Sequence, residues 1–227
     1  MNLPNAVTAG RIAITPLIAW LPLAPSSTLR LAAFILFTIA AITDYIDGQL
    51  ARSRKEETDL GRLLDPLADK LLLVATCIPM FVLMRPVALA TGGWPSKALD
   101  NELPFRTPFG DVPLTWWIIA IVIGRELFMT LFRQMAARRG VVIAAIGPAK
   151  WKTGLQLFWV GCAFCWFWTA TVAAHRGWDG DLWNAFANFN GVCGVVAMTA
   201  SVALTIYSLG LYVRSYRRVF VGAPTRV

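Results

Sequence analysis

The sequence predicts an all-α, polytopic membrane protein with six transmembrane helices and an active site in a cavity facing the cytoplasm. Three observations carry the architecture. Hydrophobic residues fill 57% of the 227 positions, and charged residues only 15%. Mean hydropathy is +0.58. Several apolar runs reach or pass the roughly 20 residues that cross a bilayer. A soluble domain needs a more charged surface than this composition supplies. The third observation is the placing of four aspartates beside a short link, developed below.

The first helix is predicted at about 3–23. It lacks the basic n-region of a signal peptide, and Pro4 and Arg11 interrupt its apolar stretch, so it reads as a retained helix. The second and third are predicted at about 28–52 and 60–84, joined by a short link. The segment 85–113 holds Gly92, Gly93, Pro95, Pro104 and Pro108 and reads as an irregular external loop. The last three helices are predicted at about 114–139, 152–174 and 185–213. With no internal repeat and modest loops, residues 1–227 read as a single six-helix domain.

Basic residues set the orientation. Arg52, Arg54, Lys55 and Arg62 crowd the link after the second helix. Arg133, Arg138, Arg139, Lys150 and Lys152 surround the link after the fourth, and Arg214, Arg217, Arg218 and Arg226 fill the tail. The opposite side holds only Arg30, Arg85, Lys97, Arg106 and Arg176. The positive-inside rule then puts both termini in the cytoplasm of a cell (inner) membrane. Trp94, Trp116, Trp117, Trp178 and Trp183 fall near the predicted outer ends, as interfacial aromatics do.

The basic residues lie between apolar runs, so the net charge of +8 points to anionic lipid heads, phosphorylated substrates or topology. No aromatic-interleaved basic patch suggests nucleic acid. The four cysteines, Cys77, Cys162, Cys165 and Cys193, all lie in apolar runs and read as small core side chains. His175 lies in an external link and reads as a solvated histidine.

Asp44, Asp47, Asp65 and Asp69 flank the short second link. Spacings of three and four put each pair on one helix face. A short link makes the two helices antiparallel neighbours, with each pair within about 12 Å of the same end at 1.5 Å per residue. Four carboxylates converging in an apolar setting repel one another and require protons or cations. An oxygen-only set suits two hard divalent cations, Mg²⁺ or Mn²⁺, which would clamp a pyrophosphate. Gly48, Ala51 and Gly61 keep the surroundings small, and Arg52 stands at the mouth. A purely structural network would instead pair the acids with Arg52, Arg62 and Lys70.

The pattern Asp44-x2-Asp47-Gly48-x2-Ala51-Arg52-x8-Gly61-x3-Asp65-x3-Asp69 resembles, at every fixed position, the signature of the CDP-alcohol phosphotransferase family. The resemblance implies transfer of a substituted phosphate from a CDP-linked donor to a hydroxyl, with release of CMP. It implies that Asp44, Asp47, Asp65 and Asp69 hold the metals and that Asp69 is also the general base. Gly48, Arg52 and Thr58 would contact the CDP group.

The stretches NLPNAVTAGRIAITP, GRLLDPLADKLLL and GRELFMTLFR are similar to the branch that joins CDP-diacylglycerol to glycerol 3-phosphate. That likeness implies that Asn5, Thr8 and Arg11 lie near the donor. GPAKWKTGLQ is similar to the basic segment of that branch, with Ala149 where the pattern has glycine. The acceptor's phosphate needs its own cations, and Arg125, Arg133, Lys150 and Lys152 are the candidates. The cardiolipin-forming branch, with phosphatidylglycerol as acceptor, shares the DPLADK stretch. The resemblance also implies a homodimer. An ion or proton carrier using the aspartates as a relay is the reading from another class. Beyond Lys70, however, the third helix runs LLLVATCIPMFVLM without an ionisable acid or base to continue a relay.

Overall fold

The computed structural model describes residues 3–54, 59–85, 101–140 and 148–216; the side chains of 3–5, 45–54, 59–63, 65 and 148–150 lie outside that description. Among the described residues there are six long helices. They are α1 Leu3–Trp20, continued by a 3-10 turn at Leu21–Leu23, then α2 Ser27–Arg54, α3 Asp59–Leu83, α4 Trp116–Arg138, α5 Pro148–Arg176 and α6 Asp181–Ser215. A hairpin of β1 Phe105–Thr107 and β2 Gly110–Val112 lies between α3 and α4 in sequence. Five of these helices are long and apolar enough to cross a membrane. The exception is α4, which carries Arg125, Glu126 and Arg133. The all-α, multi-pass architecture predicted from composition is the one observed.

The chain divides into two compact units, Met1–Thr115 with Trp159–Val195, and Trp116–Phe158 with Val196–Val227. In the first, α1 packs on α2 and α3. The buried side chains recur at spacings of three and four: Thr8, Arg11, Thr15 and Ile18 on α1; Arg30, Ala33, Phe37 and Ala40 on α2; Ala68, Leu72, Thr76 and Met80 on α3. That is one stripe per helix. The opposite stripe of α3, Leu67, Leu71, Val74, Ile78 and Phe81, is exposed and equally apolar. A helix apolar all round suits lipid on its outer side. Hydroxyls on α1 and α2 are satisfied locally: Thr15 Oγ1 donates to the Arg11 carbonyl at 2.7 Å and Thr38 Oγ1 to that of Phe34 at 2.8 Å. Without water in the hydrocarbon, such internal bonds are obligatory.

Segment 101–113 departs from the irregular loop expected there; residues 86–100 lie outside the description. Phe105 pairs with Val112, Arg106 with Asp111 and Thr107 with Gly110. Leu103, Phe105 and Leu114 are fully buried. The segment covers the end of α3, where helix carbonyls have lost their intrahelical donors. Leu103 N–H donates to Leu83 O at 2.6 Å, and Leu114 N–H to Met84 O at 2.7 Å. Trp166 Nε1 donates to Pro104 O at 2.9 Å. Trp183, expected at the interface, stacks on this buried Trp166 with ring centroids 5.8 Å apart.

Two glycines of α6 allow the hairpin to approach. A Cβ on Gly191 would run into the Arg106 carbonyl, and one on Gly194 into the Phe105 ring. Between helices in lipid, close packing supplies much of the attraction, since lipid tails are as apolar as leucine.

Arg30, counted above with the outward charges, is buried at 1% exposure. Its Nε donates to Pro22 O at 3.0 Å, and its two terminal nitrogens donate to Thr171 Oγ1 and Asn101 Oδ1. The fork thus ties the end of α1, the segment before the hairpin and α5 to the start of α2.

In the second unit α4 buries Ile118, Val122, Arg125, Met129, Phe132 and Ala136, again one stripe. Met129, Phe132 and Ala136 form a core with Tyr212 of α6, joined by Leu209 and Tyr216. The four cysteines are free thiols; Cys77 and Cys162 are buried, and Cys165 and Cys193 half-buried.

Two stability predictions follow from this packing. Gly191→Ala should cost about 1–3 kcal/mol, because the obstacle is backbone and cannot swing aside. Arg30→Lys keeps the cost of burying a charge but loses the planar fork, and should cost about 1–3 kcal/mol. Both should appear as a lower melting temperature of the purified protein in detergent. A melting temperature equal to the parent's would remove the corresponding contact from the packing described.

Candidate active site

Asp44 ends the apolar stretch of α2, and Asp69 lies in the first turn of that of α3. Arg11 lies on the buried stripe of α1, between Thr8 and Thr15. Its Nη1 donates to Asp44 Oδ1 and, at 3.3 Å, to Asp69 Oδ1. One guanidinium nitrogen therefore joins the first and last aspartates of the signature across three helices. The Arg11 side chain is 3% exposed, against 39% for Asp44 and 59% for Asp69. The cation stands behind the carboxylates and reduces their mutual repulsion, while their outer faces remain open.

Among the predicted donor and metal residues, the structure brings Arg11, Asp44 and Asp69 together and puts Thr8 on the same stripe as Arg11. The side chains of Asn5, Asp47, Gly48, Arg52 and Asp65, and all of Thr58, lie outside the described residues. Among the described residues, the cation meeting Asp44 and Asp69 comes from α1; the Arg52 and Arg62 side chains lie outside them. That partner was not legible from the acidic motif, because nothing in the spacing of α2 and α3 states which face of α1 they meet.

The described carboxylates fit a cation. Both present an oxygen to one nitrogen, so they are gathered around a positive charge, and carboxylate oxygens are hard donors. That chemistry suits a hard divalent ion. Among the described residues no group of three metal-binding side chains occurs; Asp47 and Asp65 are not among the described side chains.

A second polar cluster lies within the second unit. Arg125 Nη1 donates to Glu126 Oε1 at 3.0 Å, and Lys152 Nζ donates to the same oxygen. Arg125 Nη2 reaches Ser208 Oγ of α6 at 3.4 Å. Arg125 and Lys152 are 7% and 4% exposed in their side chains, and Glu126 27%. Arg125 Nε is buried and has no hydrogen-bond partner among the described residues. Two of the four predicted acceptor cations thus come together. Arg133 is exposed and outside the hydrogen-bonded cluster, and the Lys150 side chain is not described. Sequence reasoning gave no role to Glu126 or Ser208. The available signal was Arg125 itself, on the buried stripe of α4 with an acid beside it. Two cations around one carboxylate leave a net positive charge, suited to an anion.

Known proteins share this organisation of sequence. A family model described as CDP-alcohol phosphatidyltransferase matches residues 1–207. The CDP-diacylglycerol–glycerol-3-phosphate 3-phosphatidyltransferase 1, chloroplastic/mitochondrial, of Arabidopsis thaliana is 29% identical over 228 residues, which cover 97% of this chain and 64% of that protein. The CDP-diacylglycerol–glycerol-3-phosphate 3-phosphatidyltransferase of Bacillus subtilis (strain 168) is 34% identical over 168 residues, 69% of this chain and 72% of that protein. The cardiolipin synthase (CMP-forming) of Oryza sativa subsp. japonica is 30% identical over 226 residues, 97% of this chain and 59% of that protein. The chain therefore spans less than two thirds of the length of these two plant proteins. A match that runs from the first residue well into α6 shows that the chain belongs to the CDP-alcohol phosphatidyltransferase family.

Proposed function

We propose that the chain transfers the phosphatidyl group of CDP-diacylglycerol to glycerol 3-phosphate, giving phosphatidylglycerophosphate and CMP. The observation that carries this reading is the meeting of Asp44 and Asp69 on Arg11, since it gathers the ends of a signature spread over two helices. The names of the Arabidopsis and Bacillus relatives support the donor and acceptor.

The family is generally metal-dependent. Asp44, Asp47, Asp65 and Asp69 would hold two divalent cations, Mg²⁺ or Mn²⁺. Such ions, when bound, neutralise pyrophosphate charge and make phosphorus more electrophilic. Gly48, Arg52 and Thr58 bind the donor's CDP part, and Asn5, Thr8 and Arg11 lie near the donor. Asp69, the more open of the two described carboxylates, accepts the proton of the glycerol hydroxyl. The hydroxyl oxygen forms its bond to the phosphatidyl phosphorus as the bond to CMP breaks. Arg125, Arg133, Lys150 and Lys152 supply the charge that holds the acceptor's phosphate. The whole chain acts as one catalytic domain in the cell (inner) membrane, as a homodimer, with both termini and the reaction cavity cytoplasmic.

The rice relative supports a second reading, with phosphatidylglycerol as acceptor. Charge favours the first. A phosphate monoester carries nearly two negative charges and a phosphodiester one, and the cluster of Arg125 and Lys152 attracts the former more strongly.

Purified protein in detergent should release CMP from CDP-diacylglycerol only with glycerol 3-phosphate and Mg²⁺ or Mn²⁺, and chelation should stop it. Turnover with phosphatidylglycerol alone would assign the second reading. Ion flux in liposomes lacking lipid substrate would instead favour the carrier. Asp69→Asn should lower kcat by at least about 100-fold, the scale of a lost general base; undiminished turnover would remove Asp69 from that role. Reporter fusions at either terminus should be active only when the reporter works in the cytoplasm.

A further inference from the structure

Glu126 is the only acid in α4 and sits among the buried cations of the second unit. Its Oε1 accepts from Arg125 of its own helix and from Lys152 of α5, 26 residues away. Neither bond uses Oε2. The carboxylate is the most exposed member of the three, and the cations stand behind it. Ser208 of α6 meets the far side of Arg125.

Held this way, the two cations still have donors to offer. Among the described residues Arg125 Nε is buried with no hydrogen-bond partner, which is costly unless a ligand completes it. Lys152 Nζ carries three N–H donors, and its described bond is to Glu126. A group with several acceptor oxygens and negative charge matches what is left. A phosphate monoester is such a group.

Two effects of Glu126 oppose each other. Its negative charge weakens the pull of the cluster on an anion. Its Oε1 also holds two like charges side by side where there is little water to screen them. Burial decides between these. Both cations are almost wholly enclosed, so without the carboxylate they would repel each other and separate. A partly formed site binds less well than a preformed one, even if its net charge is higher.

We propose that Glu126 is a positioning residue for the acceptor: it fixes Arg125 and Lys152 as one site for the phosphate of the incoming alcohol. This rests on the reading of those two cations as acceptor-binding residues. Glu126 itself touches no reacting atom.

The test measures KM for glycerol 3-phosphate and for CDP-diacylglycerol separately in Glu126→Ala, Glu126→Gln and Glu126→Asp, alongside Lys152→Met and Arg125→Gln. Stabilisation of the donor-free protein by glycerol 3-phosphate, read as a melting shift in detergent, gives a second readout. In Glu126→Ala the KM for glycerol 3-phosphate should rise by about tenfold or more, the scale of a charge-assisted hydrogen bond, with the donor KM unchanged. The melting shift should shrink in parallel. Glu126→Gln, which keeps the shape and an acceptor oxygen, should fall between Glu126→Ala and the parent, and Glu126→Asp should restore part of the loss. An unchanged or lowered KM for glycerol 3-phosphate in Glu126→Gln and Glu126→Ala would overturn the proposal. So would a loss of protein stability with both KM values unaltered, which is the mark of a structural ion pair. If Lys152→Met and Arg125→Gln leave the acceptor KM unchanged, the acceptor reading itself fails. If they raise it and the Glu126 variants do not, only the positioning role fails.

Discussion

Arg11 is the point on which the first unit's chemistry depends. A guanidinium almost wholly removed from water must find acceptors, and among the described side chains Arg11 meets Asp44 and Asp69. Each comes from a different helix, so one ion pair sets the relative position of α2 and α3 at the end where the signature lies. The dependence runs both ways. Asp44 and Asp69 without a cation between them would repel, and the helices that carry them would lose a reason to meet there. The same contact that holds three helices together therefore gathers the proposed reactive groups, and a change at Arg11 touches packing and chemistry at once.

The other end of the first unit obeys the same constraint with neutral partners. Arg30 is as deeply buried as Arg11 but bonds to a carbonyl, a hydroxyl and an amide oxygen. The hairpin segment caps the carbonyls at the end of α3 and fits against α6 only because Gly191 and Gly194 lack side chains. These contacts do not depend on the exclusion of water from apolar surface, which drives little helix association in lipid. They are hydrogen bonds and close fits, so a single added methyl or a less forked cation should be felt strongly.

Much of this was legible in the sequence. The apolar runs fixed the helices within a few residues, because a bilayer imposes both length and composition on a span. The aspartate spacing anticipated the convergence of Asp44 and Asp69, because three- and four-residue steps share a helix face and a short link leaves little choice of neighbour. What stayed hidden depends on contacts between distant segments. Arg30 looked like an outward loop charge, since its acceptors Asn101 and Thr171 lie far along the chain. The hairpin looked irregular, since its strands are three residues each and carry no alternation to detect. Glu126 was visible beside Arg125, but its bond to Lys152 requires knowing which faces of α4 and α5 meet.

The two polar clusters, each described within its own unit, share an order of exposure. Arg11, Arg125 and Lys152 are the buried members, and Asp44, Asp69 and Glu126 the more open ones. Side-chain length accounts for it. Arginine and lysine have apolar stems that pack among apolar helices and carry the charge to a partner. A carboxylate on one or two methylenes has no such stem and stays near its own backbone. The consequence differs between the clusters. At Asp44 and Asp69, open oxygens backed by a buried cation suit incoming positive charge, as a metal would bring. At Glu126 one acid faces two cations, so the balance is positive. The same dependence on stem length thus yields one cluster fitted to a cation and one fitted to an anion, the two kinds of charge that the proposed transfer between a CDP-linked lipid and a phosphorylated alcohol would have to hold.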